Sequence, residues 1–304
     1  MRIVFMGTPA IAATCLKRLL ETEHEIVGVY TKPDTPKNRG MKLSVSEVKA
    51  LAAEHGLPVY QPATFKEDSV VSELAALQPE LICVVAYGKI LPQRVLEIPK
   101  YGCVNIHASI LPQLRGSAPV QWAVLNGLEE TGVTAMYMAA EMDAGDIIEI
   151  AKTPIGPNET SEELMEQLAE LGAALLCKTV SAIQDGTVTR TPQDHEKATY
   201  APMLTKDLSA IDWSNSARQI CNQVRGLIPW PVAAAEFDGK RFKLFQVEQT
   251  GKRTDQAPGA LLGVTKQGLE VACGGGAVLL VTQLQAEGGK RMSACDYFRG
   301  HPLR

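Results

Sequence analysis

Along the first 155 residues, apolar positions gather into short unbroken runs separated by amphipathic stretches. Residues 2–6 (RIVFM), 25–31 (EIVGVYT), 57–61 (LPVYQ), 81–88 (LICVVAYG) and 103–109 (CVNIHAS) read as strands. The unbroken apolar stretch at 81–85 predicts burial on both faces, as in a parallel sheet covered by helices on each side. Helical spacing appears between the strands: near Pro9, where proline suits a first turn, then over 46–56 and 69–78. Another helix is predicted at 119–127. Strands at 133–138 and 146–155 follow with no helix between them, which predicts an antiparallel edge joined through EMDAGD at 141–146. A long amphipathic segment, 160–186, opens on acidic residues and stops at Gly186. This alternation predicts an α/β domain with a doubly wound, mostly parallel sheet.

The pattern then breaks. Residues 189–207 are polar, proline-bearing and aperiodic, and read as a linker between a first domain, 1–188, and a second, 208–304. After a short helix at 214–227 come runs at 232–237, 240–248, 259–265, 268–274 and 277–285, with Asp238-Gly239 between the first two. Asp-Gly between alternating runs signals a hairpin. Short strands with glycine turns predict a small barrel or sandwich, with a smaller OB-like β-barrel as the expectation. The length, 304 residues, suits two such domains.

Net charge is −4, which by itself argues against a nucleic-acid partner. Its distribution changes the picture. Residues 205–304 carry 13 basic and 9 acidic side chains, against 17 and 25 in the remainder. Seven cysteines, an odd number without a C-x-x-C pair, suggest a reducing compartment and no disulfide framework. The apolar part of the N-terminal run is too short for a signal peptide, and no stretch has the length of a membrane span. A cytoplasmic protein is expected. Five scattered histidines without metal-ligand spacing predict no catalytic metal.

The chemistry concentrates in CVNIHASILPQLRG at 103–116. On a strand, Asn105 and His107 point the same way. At the end of a central strand they lie where open α/β sheets bind ligands. An amide there can donate to a developing oxyanion, and an imidazole can shuttle a proton. The same pair could instead tie down the following loop. Asp143 could orient the imidazole, with Glu141 and Asp146 as rival carboxylates. Leu111-Pro112 predicts an extended backbone able to meet a flat heterocycle. Arg115-Gly116 suits an anionic tail or the start of the next helix. The Tyr87-Gly88 turn lets backbone polar groups approach a ligand. MGTP at 6–9 lacks both phosphate-loop glycine patterns and reads as a strand-to-helix turn. TKPDTPKNRGMKL at 31–43 predicts a long basic loop in which Lys32, Lys37, Arg39 and Lys42 could grip phosphate oxygens. Trp213 and Trp230 read as core or domain-contact residues rather than stacking platforms.

Together FMGTP, the basic insert, VVAYGKILP, NIHASILPQLRG, ETGVT, EMDAGDI, IDWSNSA, PWP and FRG resemble, in their order, the methionyl-tRNA formyltransferase family. The resemblance covers nearly the whole chain. NIHASILP with EMDAGD marks the wider folate-dependent formyltransferases, and the basic insert and C-terminal half narrow it to the tRNA enzymes. It implies 10-formyltetrahydrofolate as co-substrate, the α-amine of methionyl initiator tRNA as acceptor, and a C-terminal tRNA-binding barrel; a monomer is expected. The family's catalytic residues fall on Asn105, His107 and Asp143. Its folate-contacting residues fall on Ser109, Ile110, Leu111 and Pro112, with Ile where the family has Leu. Tyr87 and Gly88 are assigned to the same ligand. The insert carries fewer arginines and glycines than many relatives, and Arg39 is its leading phosphate contact. A small-amine formyltransferase and an RNA-binding module on an inactive α/β scaffold remain the alternatives.

Overall fold

The computed structural model describes residues 1–37 and 42–303. In chain order its elements are β1 (Arg2–Gly7), α1 (Ala10–Leu20), β2 (Glu25–Tyr30), β3 (Thr35–Lys37), β4 (Lys42–Ser44), α2 (Glu47–Glu54), β5 (Val59–Tyr60), α3 (Asp68–Ala76), β6 (Leu81–Val85), α4 (Gln93–Leu96), β7 (Cys103–His107) and β8 (Arg115–Gly116). They continue with α5 (Pro119–Leu125), β9 (Glu130–Tyr137), β10 (Ile147–Pro154), α6 (Ser161–Gln184), β11 (Tyr200–Ala201), α7 (Ala217–Gly226), β12 (Ala234–Phe237), β13 (Lys240–Arg253), β14 (Leu261–Val264), β15 (Leu269–Cys273), β16 (Ala277–Ala286), β17 (Arg291–Ser293) and α8 (Ala294–Gly300). The chain forms two compact units. The first comprises Met1–Pro119, Glu130–Pro154 and Met165–Ala201, and the second Val120–Glu129, Ile155–Leu164 and Pro202–Arg304.

The first unit is built on a seven-stranded sheet, β10-β9-β7-β6-β1-β2-β5. Its core strands are parallel, and β9 runs antiparallel to both β7 and β10. Strand order reverses between β1 and β6, so their C-terminal ends mark the switch point of a doubly wound sheet. β6 and β7 are buried throughout because both faces are covered. Val4, Met6, Ile82 and Val84 pack on one side with Tyr30, Phe65 and Tyr87. Helix α1 buries Ile11, Ala12, Cys15, Leu16 and Leu19, one stripe of a 3.6-residue period. The MGTP turn is a packing device: a Cβ at Gly7 would lie 2.6 Å from the Ala12 side chain, so glycine lets α1 approach β1.

Two expectations change. The basic insert contains a short antiparallel ladder, β3 on β4, with Thr35 opposite Ser44 and Lys37 opposite Lys42. Pro36 is accommodated there because a two-stranded ribbon has an open edge. Residues 191–201 follow the first unit: Thr191 exchanges backbone hydrogen bonds with Ile147, and β11 pairs with β8.

In the second unit, β12-β13-β16-β15-β14 form an antiparallel sheet with β17 added beside β16. It curls into a half-barrel, in keeping with the small β-barrel expected. Asp238 and Gly239 take positive φ (50° and 72°) and close the β12–β13 hairpin. Register shifts along β13 and β16 bend the long strands. Helix α7 begins with a reciprocal capping box between Ser216 and Gln219. Trp213 packs near Phe237 at 6.0 Å between ring centroids. Trp230 is 49% exposed, contrary to a core role.

All seven cysteines are free thiols; Cys15, Cys83, Cys103 and Cys273 are buried. Burial pushes the Cys15 and Cys103 thiols up to about 12, Cys15 with a further push from Cys177 and Glu170. No helix among the described residues is long and apolar enough to cross a membrane. With an aromatic disulfide reagent at pH 8, at most Cys177, Cys221 and Cys295 should react before unfolding. Rapid reaction of Cys15 or Cys103 in the native protein would contradict this packing.

Candidate active site

Alternation along β7 aims Asn105 and His107 to the side of Cys103, opposite Ile106, which faces α6 at Gly172. Both polar side chains are nearly buried. His107 Nε2 lies 2.9 Å from the Leu114 carbonyl oxygen. A carbonyl only accepts, so this nitrogen carries a hydrogen. The other ring nitrogen, Nδ1, faces Asp143 Oδ2 at 3.7 Å. In the neutral ring Nδ1 is a bare lone pair, and a proton arriving there completes an ion pair with Asp143. Among the described residues, no group hydrogen-bonds the Asn105 side-chain amide. It stands ready for an external oxygen.

Two non-glycine residues in left-handed backbone flank the imidazole. Leu114 has φ 57° and Asp143 has φ 52°. Such residues persist only where surrounding bonds over-determine them. The Leu114 N–H donates to Thr199 Oγ1 at 2.9 Å, which turns its carbonyl toward His107. Asp143 Oδ2 accepts from the Gly116 N–H at 2.8 Å. Gly145 makes the Asp143 turn tight: a Cβ there would fall 1.9 Å from the Tyr137 carbonyl oxygen. Of the rival carboxylates, Glu141 is exposed and faces Arg115 at 3.6 Å, so spacing alone could not single out Asp143 as the partner of His107.

The 109–112 segment is a turn, with a cis Leu111–Pro112 peptide, where extended backbone was expected. Thr134, which sequence reasoning missed, fastens it: its hydroxyl donates to the Ser109 carbonyl at 2.6 Å and accepts from the Leu111 N–H at 3.1 Å. Ser109 Oγ donates to the Gln113 carbonyl at 2.6 Å. Ser109 and Leu111 are buried, whereas Ile110 and Pro112 are half-buried. At the end of β6, Tyr87 is buried and its hydroxyl lacks a partner among the described residues; burial pushes its pKa up. Gly88 is exposed, and Lys32 lies over it so closely that a Cβ there would come within 2.3 Å of the ammonium. Thr8 ties these loops together, donating to the Tyr87 carbonyl and accepting from the Lys32 N–H.

Lys32 is exposed; Lys37 and Lys42 occupy the β3–β4 ladder, and Arg39 lies outside the described residues. Arg115 is neither a free anion contact nor a helix start. It is 1% exposed, sits in β8, and donates to Gln193 Oε1 from Nε and Nη2 at 3.2 and 2.7 Å. In the second unit, Lys206, Trp230, Arg241, Lys243 and Glu287 help to line a groove of about 440 Å³. Among the described residues, no three His, Cys, Asp or Glu side chains are grouped to hold a metal.

The first unit is thus a doubly wound sheet with Asn105, His107 and Asp143 gathered at one strand end, and the second is an antiparallel half-barrel. A family model described as "Formyl transferase" matches residues 1–180, and "Formyl transferase, C-terminal domain" matches residues 203–302. The chain belongs to the formyl transferase family. It is 44% identical over 303 residues to the methionyl-tRNA formyltransferase of Alkaliphilus oremlandii, covering 100% of this chain and 97% of that one. Among solved structures, it resembles an N-formyltransferase from Helicobacter canadensis in complex with folinic acid and dTDP-3-aminofucose, at 17% identity and TM-score 0.67, covering 92% and 98% of the two chains. HypX from Aquifex aeolicus in complex with tetrahydrofolic acid gives TM-score 0.67 at 18% identity, covering 98% of this chain and 47% of that one. The chain thus spans about half the length of HypX.

Replacing Gly145 with alanine should cost about 2–3 kcal/mol, because the added methyl meets backbone rather than a movable side chain. Urea unfolding measures it, and an unchanged midpoint would contradict the tight turn.

Proposed function

We propose that this protein transfers the formyl group of 10-formyltetrahydrofolate to the α-amine of methionyl initiator tRNA, giving N-formylmethionyl-tRNA for translation initiation. The observation that carries the reading is the end-to-end match to a methionyl-tRNA formyltransferase. Bound at the strand ends, the folate supplies the formyl carbon on N10. Its fit rests on the exposed Gly88 turn and the half-buried apolar surfaces of Ile110 and Pro112, backed by Tyr87, Ser109 and Leu111.

Asn105 donates to the formyl oxygen as negative charge develops there. One such donor is worth about 2.7–4 kcal/mol in rate. His107 would take the amine's proton at Nδ1 as the new C–N bond forms, since the Leu114 carbonyl keeps Nε2 engaged, and return it to N10 as the old C–N10 bond breaks and tetrahydrofolate leaves. Asp143 stabilises the resulting imidazolium. A free α-amine has a pKa near about 8, so an unprotonated fraction is available at neutral pH.

Lys32, Lys37, Arg39 and Lys42 position the acceptor stem through phosphate contacts, and residues 208–304 extend that grip. The cationic groove beside Trp230 supports a polyanionic partner for this unit. The enzyme acts in the cytoplasm as a monomer.

Incubation with 10-formyltetrahydrofolate and charged initiator tRNA should yield formylmethionine, and charged elongator tRNA much less. Efficient formylation of a small amine, with no product on any tRNA, would overturn the acceptor assignment. His107→Ala should lower turnover at least about a hundredfold with little change in tRNA affinity. Near-normal turnover would remove the imidazole from the mechanism. Neutralising the four insert cations together should weaken tRNA binding and flatten its dependence on salt. An unchanged salt slope would place the phosphate grip elsewhere.

A further inference from the structure

Gln193 touches neither His107 nor the open strand ends, yet it holds the residue that faces His107. It is nearly buried, and its side-chain amide is used at both ends. Nε2 donates to the Asp143 carbonyl at 2.9 Å and to the Gly145 carbonyl at 2.7 Å. Oε1 accepts two hydrogen bonds from Arg115. Arg115 in turn donates to His195 Nδ1 at 3.2 Å, and its Nη1 faces the exposed Glu141 at 3.6 Å.

The connectivity is closed. Arg115 fixes Gln193, and Gln193 clasps the main chain of the left-handed Asp143 turn. The Gly116 N–H, one residue from Arg115, holds the Asp143 carboxylate itself. Aspartate holds left-handed backbone only where its surroundings keep it there, so the turn relaxes unless its carbonyls are held. Relaxation would swing the carboxylate away from Nδ1. The partners are neutral acceptors on one side and a buried guanidinium on the other. A side-chain amide, with two donor hydrogens and an acceptor oxygen on one terminus, satisfies both.

We infer that Gln193 is a positioning residue for formyl transfer, acting through the Asp143 turn and oriented by Arg115. The inference rests on Asp143 serving His107 as proposed above.

Two variants of the full-length protein test it. Gln193→Met removes both polar ends at similar volume. Gln193→Glu keeps the acceptor for Arg115 but sets an oxygen against two carbonyls. Each should lower kcat about 10- to 100-fold, the loss that follows a displacement of about 1 Å at a reacting group, with KM for both substrates changed less than about threefold. On an Asp143→Asn background, Gln193→Met should change the rate less than about threefold, because the group it positions is already lost. If Asp143→Asn turns over normally, the catalytic reading fails. If Asp143→Asn is inactive while both Gln193 variants keep wild-type kcat, or if Gln193→Met costs the same factor on either background, the positioning role alone fails. Loss of folding in both variants would also overturn it, since the residue would then be structural.

Discussion

The first unit's polar end depends on one imidazole being held by opposite kinds of neighbour. The Leu114 carbonyl takes the hydrogen of Nε2, and the Asp143 carboxylate faces Nδ1. Neither neighbour comes from β7 itself. Both sit in left-handed backbone, which L-residues adopt only when held there. Much of the surrounding structure serves that requirement. Thr199 anchors Leu114, and Gly116 and Gln193 anchor Asp143. The β8–β11 pairing brings residues some 85 positions apart into register. Stability is spent locally so that one nitrogen is committed and the other remains available.

This arrangement accounts for the division of polar work at the strand ends. Asn105 has no internal partner among the described residues and can meet an external oxygen. The 109–112 turn is fastened from beneath by Thr134, so that its half-buried residues present a fixed surface. Gly7 and Gly145 are required by close approach, one of helix to strand and one of loop to carbonyl. The second unit is a half-barrel that carries cationic side chains and an exposed tryptophan.

Much of this was legible in the sequence because it is local. An unbroken apolar run identified β6, a buried run interrupted by Asn105 and His107 identified β7, and the absence of a helix between 138 and 146 foretold the antiparallel β9–β10 edge. Asn105 and His107 were visible because a two-residue spacing on a strand puts them on one face. What escaped was long-range. Spacing could not choose among Glu141, Asp143 and Asp146, since that depends on how the turn is folded. Arg115 read as a contact for an anionic tail or as the start of a helix, because its partner lies 78 residues away. Gln193 sat within an aperiodic stretch whose polarity suggested a linker. There, polar residues serve as fasteners, and a hydropathy pattern carries no sign of it.

The central claim concerns where the hydrogen resides on the neutral His107 ring. Nitrogen-15 NMR of the labelled imidazole, followed through its titration, reports this directly. The account expects the hydrogen on Nε2 in the neutral form, with Nδ1 gaining one only as the cation forms. A neutral ring carrying its hydrogen on Nδ1 would contradict the Leu114 anchor, and with it the assignment of Nδ1 as the atom that handles the amine's proton.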